Sequence, residues 1–414
     1  MRLLLLTTYP LKVPRHGGQL RSAAIRRLLR TLGVEVRTVA VLHGGDYRPG
    51  EHEGDDLVLP ADSPFFDPAY PRLTDLQRGR MLAAVGPAWS AFRKRLDEVR
   101  PDIIQLEQPW LFPAVRRWLD EGVADAARPP RLVYSSQNIE WKLKRDEMPP
   151  ELPDRTAYLA QVARVEALEH EVVRAADMVV ACTDGELAEL RAMAGDDRRA
   201  RAWVTAANAI EPYAPDPART AAMQARLGLA RYPLFVGSAH PPNVDGFWEM
   251  LAPSLAFLRP GERIVVAGGV GHLLRQHRRY AEWSGINEPR LLVLGEVERA
   301  DLDALLGGAA VVILPITTGG GSNLKTAEAI YSGRPVLATP HALRGYGDAS
   351  RWPTIRVADD ADGFRRALRE RLDAPPPTLP AGYEAIRRQV TWEVALAPLA
   401  EAFRERLLAT GGGD

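Results

Sequence analysis

The chain has 414 residues, too long for one ordinary core, so two domains of about 200 residues each are expected. Hydrophobic residues make up 46% and charged residues 26%, the balance of a globular protein in water. Fifty-three Lys and Arg against fifty-three Asp and Glu argue against a nucleic-acid partner, and a single cysteine, Cys182, excludes an intramolecular disulfide and a thiolate zinc site.

The opening "MRLLLLTTYP" has too short an apolar core for a secretory leader. No run approaches the roughly 18–20 apolar residues of a membrane span, so a cytoplasmic protein is expected. Leu3–Thr7 reads as the first strand, "PRHGGQLR" as a loop, and "QLRSAAIRRLLRTLG" as a helix. Glu35–Val41, Ile103–Glu107, Leu132–Ser135 and Met178–Ala181 read as further strands, with "WSAFRKRLDEVR" and "RTAYLAQVARVEALEHEVVRAAD" as helices between them. Cys182 follows the last of these strands and is expected to be an inert core thiol. Four prolines interrupt "NAIEPYAPDPARTAAMQARLGLARYP", which reads as an interdomain connection near residues 209–232. A second strand series follows: "LFVGS", "RIVVAGG", "LLVLGEV", "VVILPI", "PVLAT" and "TIRVA". "TWEVALAPLAEAFRERLLAT" reads as a final helix kinked at Pro398. Alternating strands and helices predict an α/β protein of two Rossmann-like, doubly wound domains.

In such sheets ligands bind at the carboxyl ends of the strands, where glycine loops lead into helix N-termini. Two loops qualify. The first carries Gly17 and Gly18. The second lies in "ITTGGGSNLKTAEAIYSGRPV", residues 316–336, where Gly319, Gly320 and Gly321 precede Ser322, a candidate cap for a helix running to about Ser332. Lys325 then falls in the first turn, facing the positive end of the helix dipole at a cost of about 0.3–1 kcal/mol. An anion there, most simply a diphosphate, would account for that lysine, with backbone N–H groups and Lys325 binding it together. Glu328, one turn on, is placed to accept hydrogen bonds from ribose hydroxyls. The plainer alternative is a surface Lys325–Glu328 ion pair, worth at most about 0.5 kcal/mol.

Other patterns carry less. Ser322-x-x-Lys325 lacks the companion motifs of penicillin-interacting enzymes, and "GGVG" at Gly268–Gly271 lacks dinucleotide-fingerprint spacing. Asp360 and Asp362 mimic a metal pair but read as a helix start, and the eight histidines form no ligand pair. No metal is expected.

Taken together, these residues resemble the retaining GT-B glycosyltransferases of family 4, over nearly the whole chain. "LLTTYPLKVPRHGGQLRSAAIRRLLRTLGVEVRTV", "RPDIIQLEQPWLFPAV", "LVYSSQNIE" and "LFVGSAHPPNVDG" are similar to successive family segments. "LPITTGGGSNLKTAEAIYSGRPVLATP" is the most specific, close to the branch with a glycine-rich loop before Lys-x-x-Glu-Ala. The resemblance implies a GT-B fold: an acceptor domain over residues 1–210, a nucleotide-sugar donor domain over 211–390, and a C-terminal helix, 391–414, returning to the first. It implies transfer from a nucleotide-diphosphate sugar to an acceptor hydroxyl of a glycan, lipid-linked glycan or small molecule, without a metal or other cofactor. Lys325 would contact the diphosphate and Glu328 the ribose, with Gly319 to Leu324 around the donor and Gly17 and Gly18 approaching its phosphates. Arg15, His16, Arg21, Asn138, Glu140, His240 and Asn243 are candidates for phosphate or acceptor contacts.

Two departures stand out. The family's Glu-x7-Glu pattern places its first glutamate at Gly320, and its His-x-His pattern reads Gln105-Leu106-Glu107. Glu107 thus becomes, with Lys325, the candidate catalytic residue. The alternatives are another nucleotide-sugar enzyme such as an epimerase, or an inactive nucleotide-sugar-binding scaffold subunit. The basic amphipathic "IRRLLRTL" would suit peripheral contact with the inner face of a membrane.

Overall fold

The computed structural model describes residues 1–84, 86–122, 129–149, 151–195, 201–214, 216–375 and 378–408. They form two compact units: Met1–Ala207 with Leu396–Asp414, and Asn208–Ala395.

The first unit is a seven-stranded parallel sheet. Its strands are β1 (Arg2–Thr7), β2 (Glu35–His43), β3 (Leu57–Leu59), β4 (Ile103–Leu106), β5 (Arg131–Ser135), β6 (Met178–Ala181) and β7 (Ala202–Thr205). Their order is β3-β2-β1-β4-β5-β6-β7. Central β1 sets Leu3 opposite Val36 on one side and Ile103 on the other. Leu3 to Leu6 are all buried, which is why this strand is an unbroken apolar run: a parallel sheet is covered on both faces. Ile25 and Leu29 of the helix Gly17–Thr31 are fully buried, so these apolar residues of "IRRLLRTL" serve the core. Among the described residues no helix is long and apolar enough to cross one.

The second unit is a six-stranded parallel sheet of β8 (Pro233–Val236), β9 (Ile264–Ala267), β10 (Leu291–Gly295), β11 (Val311–Leu314), β12 (Val336–Ala338) and β13 (Ile355–Val357). The order is β10-β9-β8-β11-β12-β13. Phe235 and Phe247 lie 5.2 Å apart in its core.

Three local expectations need correction. The strands β3 and β7 were not legible, being short and lacking alternation. The proline-rich stretch after residue 209 is not all connection. Pro217 begins the helix Pro217–Leu227, which Asp216 caps through the Arg219 N–H at 3.0 Å and Gly228 ends in a left-handed conformation. The final helix is interrupted, not kinked: Trp392–Ala395 stops before Leu396, and Pro398 sits in the first turn of Ala397–Ala402, where its missing N–H costs nothing. Cys182 is buried directly after β6.

Candidate functional site

In each sheet the strand order reverses once, opening a crevice at the carboxyl ends of two neighbouring strands. In the second unit these are β8 and β11. Beyond β11 the loop turns through Gly319 and Gly321, whose φ values of 108° and 63° favour glycine, into the helix Leu324–Ser332. The N-cap residue is Asn323 and supplies no side-chain cap, so the first-turn N–H groups lack the oxygen that Ser or Asp commonly provides. The expected cap, Ser322, is committed elsewhere. Its hydroxyl accepts from the Asn208 N–H at 2.7 Å, while the Asn208 carboxamide donates to the Ser322 carbonyl at 2.6 Å.

The loop is braced by side chains from the segment after β12. Arg344 donates to the Gly320 carbonyl at 2.6 Å, Tyr346 donates to the Asn323 carbonyl at 2.6 Å, and the His341 ring lies 3.0 Å from the Gly319 carbonyl. Two buried groups in this framework, the Thr317 hydroxyl and the Asn323 amide nitrogen, have no hydrogen-bond partner. Across the crevice, the helix Pro241–Leu251 follows β8. A Cβ on its Gly246 would lie 2.2 Å from the Pro315 carbonyl oxygen, so glycine lets the two strand exits approach. This contact sets Asn243, whose amide donates to the Ser238 carbonyl at 2.9 Å and whose oxygen accepts from the Lys325 ammonium.

Lys325 is pushed down to about 7, first by burial and then by the nearby Arg344 charge, with Glu328 opposing. Burial raises the Glu328 carboxyl, which does not pair with Lys325 but accepts from Arg299 at 2.6 Å. The intrahelical ion pair is therefore replaced by a cross-element one. His240, the N-cap of Pro241–Leu251, borders the same crevice. The loop glycines, Ser322, Asn323, Leu324, Lys325, Glu328, His240 and Asn243 thus gather at one switch point. Arg299, Arg344, Asn208 and Tyr346 complete it, and no sequence motif marked them.

In the first unit the reversal falls between β1 and β4. His16 caps the helix Gly17–Thr31 in a reciprocal box with Gln19, whose carboxamide oxygen also accepts from the Arg15 N–H at 2.8 Å. Burial lowers the His16 pKa. Gly18 backs onto the Gln137 carboxamide. Arg15 is exposed and pairs with Glu51 at 2.8 Å.

Several expected contacts are displaced inward. Arg21 is buried and donates to the Ala206 carbonyl at 2.6 Å, so it braces the exit of β7 and does not reach out towards phosphates. Glu107 has no exposed surface. Ser22 donates to it at 2.6 Å and Gln105 at 2.5 Å, while Tyr9 and Gln137 extend the network. Burial raises its pKa. A carboxylate so enclosed, expected as a candidate catalytic residue, positions its neighbours in this geometry. Glu140 is likewise buried and is pushed up to about 8 by burial, while its backbone N–H donates to Glu169 at 3.0 Å. Asn138 is half-buried in the turn, its carbonyl accepting from Ser136 at 2.6 Å.

A cavity of about 490 Å³ opens above this network, lined among others by Thr8, Asp46, Tyr47, Asp75, Arg78 and Gln108. Arg78 is almost wholly buried. It donates to the Val41 carbonyl at 3.1 Å and to Asp46 at 3.2 Å, with Asp75 at 3.4 Å. The sequence did not single these residues out because, apart from the Asp75–Arg78 pair three residues apart, they meet through contacts distant in the chain. Among the described residues no group of three or more His, Cys, Asp and Glu side chains could hold a metal ion.

Two family models match successive parts of the sequence: a glycosyl transferase 4-like domain over residues 16–204 and glycosyl transferases group 1 over residues 230–373. The chain is a glycosyltransferase built of these two successive domains. Comparison with curated proteins finds no match. Among solved structures, this glycosyl transferase is similar to sucrose-phosphate synthase from Thermosynechococcus elongatus, with a TM-score of 0.70, 15% identity, and 99% of this chain and 100% of that one covered. It is also similar to Anabaena HepE in complex with UDP-glucose, with a TM-score of 0.63, 15% identity, and coverage of 98% and 100%. A third is a UDP-forming alpha,alpha-trehalose-phosphate synthase from Burkholderia xenovorans in complex with glucose-6-phosphate, with a TM-score of 0.60, 15% identity, and coverage of 99% and 100%. The expected fold, two Rossmann-like domains of the GT-B class, is the observed one.

Proposed function

We propose that the protein is a retaining glycosyltransferase that moves a sugar from a nucleotide-diphosphate donor to an acceptor hydroxyl. The observation that carries this reading is the second unit's switch point, where an uncapped helix N-terminus, a glycine turn and the desolvated Lys325 converge. A diphosphate there would meet backbone N–H groups, and its charge would draw the proton back onto Lys325. HepE, with UDP-glucose bound, and the UDP-forming trehalose-phosphate synthase support a nucleotide-sugar donor.

In this reading the acceptor oxygen attacks the anomeric carbon on the face the diphosphate leaves. The C–O bond to the diphosphate breaks, and the leaving group takes the acceptor's proton. Lys325 and the 319–323 loop stabilise the developing charge, a task preorganised donors perform without a metal. Glu328, which accepts from Arg299, is the residue this reading assigns to the ribose. With Gly320 in place of a carboxylate, recognition of the transferred sugar falls to backbone N–H groups of the loop.

Thermal unfolding with UDP, GDP, dTDP, ADP and CMP tests the donor site, since a ligand at about 100 times its dissociation constant adds roughly 2.7 kcal/mol. Stabilisation by one nucleoside diphosphate, absent in Lys325→Ala, is expected. No response to any nucleotide would overturn the reading. NMR of the product's anomeric proton then decides retention.

A further inference from the structure

The first-unit cavity holds two carboxylates around one guanidinium. Asp46 receives Arg78 through one oxygen, and its other oxygen lies 3.0 Å from the His43 ring. Asp75 stands 3.4 Å from the same guanidinium and has about a quarter of its side chain exposed. The other terminal nitrogen of Arg78 donates to the carbonyls of Thr8 and Val41. Both terminal nitrogens of this cation are thus engaged by the protein, Nε alone being without a partner, and the charge is outnumbered by carboxylates. Arg15, on the loop after β1, is outside the cavity lining and pairs with Glu51 at 2.8 Å. Between these charges the walls carry the hydroxyls of Thr8 and Tyr47, the carboxamides of Gln108 and Gln137, Gly18, and the His16 ring, which burial pushes towards its neutral form. Burial lifts Tyr47 to about 12, so it remains a neutral phenol. Thr8 donates to Gln108 at 2.8 Å, which fixes the carboxamide.

We propose that this cavity binds an uncharged, hydroxyl-rich saccharide as the acceptor, and that it discriminates against the phosphorylated form of the same sugar. Carboxylates accept hydrogen bonds from pairs of sugar hydroxyls, and fixed carboxamides and hydroxyls supply the complementary donors and acceptors. A phosphate dianion would meet Asp46 and Asp75 with both terminal nitrogens of Arg78 already engaged, which is rejection by like charge. The inference rests on the transferase reading but concerns a separate cavity, so the two can fail independently.

The test is isothermal titration of the full chain, without nucleotide, using glucose, galactose, mannose and fructose, each beside its 6-phosphate, with the disaccharides maltose and cellobiose added. At least one unphosphorylated saccharide is expected to saturate the protein, and to bind at least about tenfold more tightly than its phosphate, the worth of one hydrogen bond to a charged group. Asp75→Asn should weaken that saccharide by about tenfold as well, while nucleotide stabilisation is unchanged. A phosphate that binds more tightly than its parent sugar overturns the proposal, as does the absence of binding by every unphosphorylated member. The wild-type pairs carry the test even if the variant fails to fold. Loss of nucleotide stabilisation in the wild type would sink the transferase reading without touching this result.

Discussion

The two switch points are built on the same sheet topology and differ in how far the titratable group at the strand exit, Lys325 in one and Glu107 in the other, has been satisfied. In the second unit Lys325, the Thr317 hydroxyl and the Asn323 amide sit in a braced frame, and the two latter have no partner. In the first unit both oxygens of Glu107 are held, by Ser22 and Gln105, and Tyr9 and Gln137 lock those in turn. A titratable group at a strand's carboxyl end is therefore not by position a group that touches ligand. What decides is whether its neighbours have already used its lone pairs and protons, because an unsatisfied buried group gains far more from a ligand than a satisfied one.

Lys325→Ala is the substitution that should break this contrast most. Removing a preorganised donor from a developing anion costs about 10²–10³-fold in turnover. Turnover at saturating acceptor and nucleotide binding should fall together; an unchanged rate would remove Lys325 from the site. Next comes Gly246→Ala. Its methyl group would collide with the Pro315 carbonyl, and overpacking of this kind costs about 1–3 kcal/mol. A lower melting temperature accompanied by weaker nucleotide binding is expected, since the same contact sets Asn243 against Lys325. Stability loss with binding intact would detach the helix packing from the site.

How much of this was legible follows from the range of the interactions. The glycine turn, the lysine and the following helix are local, and their spacing pointed to an anion site at the right strand. The framework that holds them is not local. Arg299 reaches Glu328 across 29 residues, and Asn208 reaches Ser322 across 114. A cap was expected at Ser322 because hydroxyls favour that position, but a tertiary partner took the hydroxyl first. Glu107 was legible as a carboxylate at a strand end, whereas its enclosure depends on Ser22 and Tyr9, about a hundred residues earlier. The two unread strands are short sheet edges, where pairing, not side-chain pattern, makes the strand.

The depressed Lys325 pKa gives the contrast a pH signature. A diphosphate prefers the ammonium, so above about 7 binding must be accompanied by proton uptake. Nucleotide dissociation constants should rise with pH from there, by at most about tenfold per unit, and be flat below. Because the folded value lies below that of an unfolded lysine, the unliganded protein should also gain stability from this group as pH rises above about 7. Lys325→Arg, charged throughout, should abolish the slope in binding. A wild-type profile flat from pH 6 to 9 would mean that the ammonium is not drawn to the ligand.

Glu107→Gln should have the smallest effect, and that is its value. A glutamine can keep both contacts: its oxygen accepts from Gln105, and its amide donates to Ser22 once the Ser22 and Tyr9 hydroxyls rotate. Were Glu107 in contact with the reacting sugar, the loss of its charge would lower kcat severely. As a buried positioning residue it should leave kcat nearly unchanged and alter stability in one direction only. Its folded pKa is raised by burial, so the native state holds the proton longer, and wild-type stability falls as pH climbs from the ordinary carboxylate range through that raised value. The variant lacks this term, so its stability relative to wild type should grow across the same window. A large fall in kcat with no such trend would return Glu107 to the reacting centre and erase the difference between the two switch points.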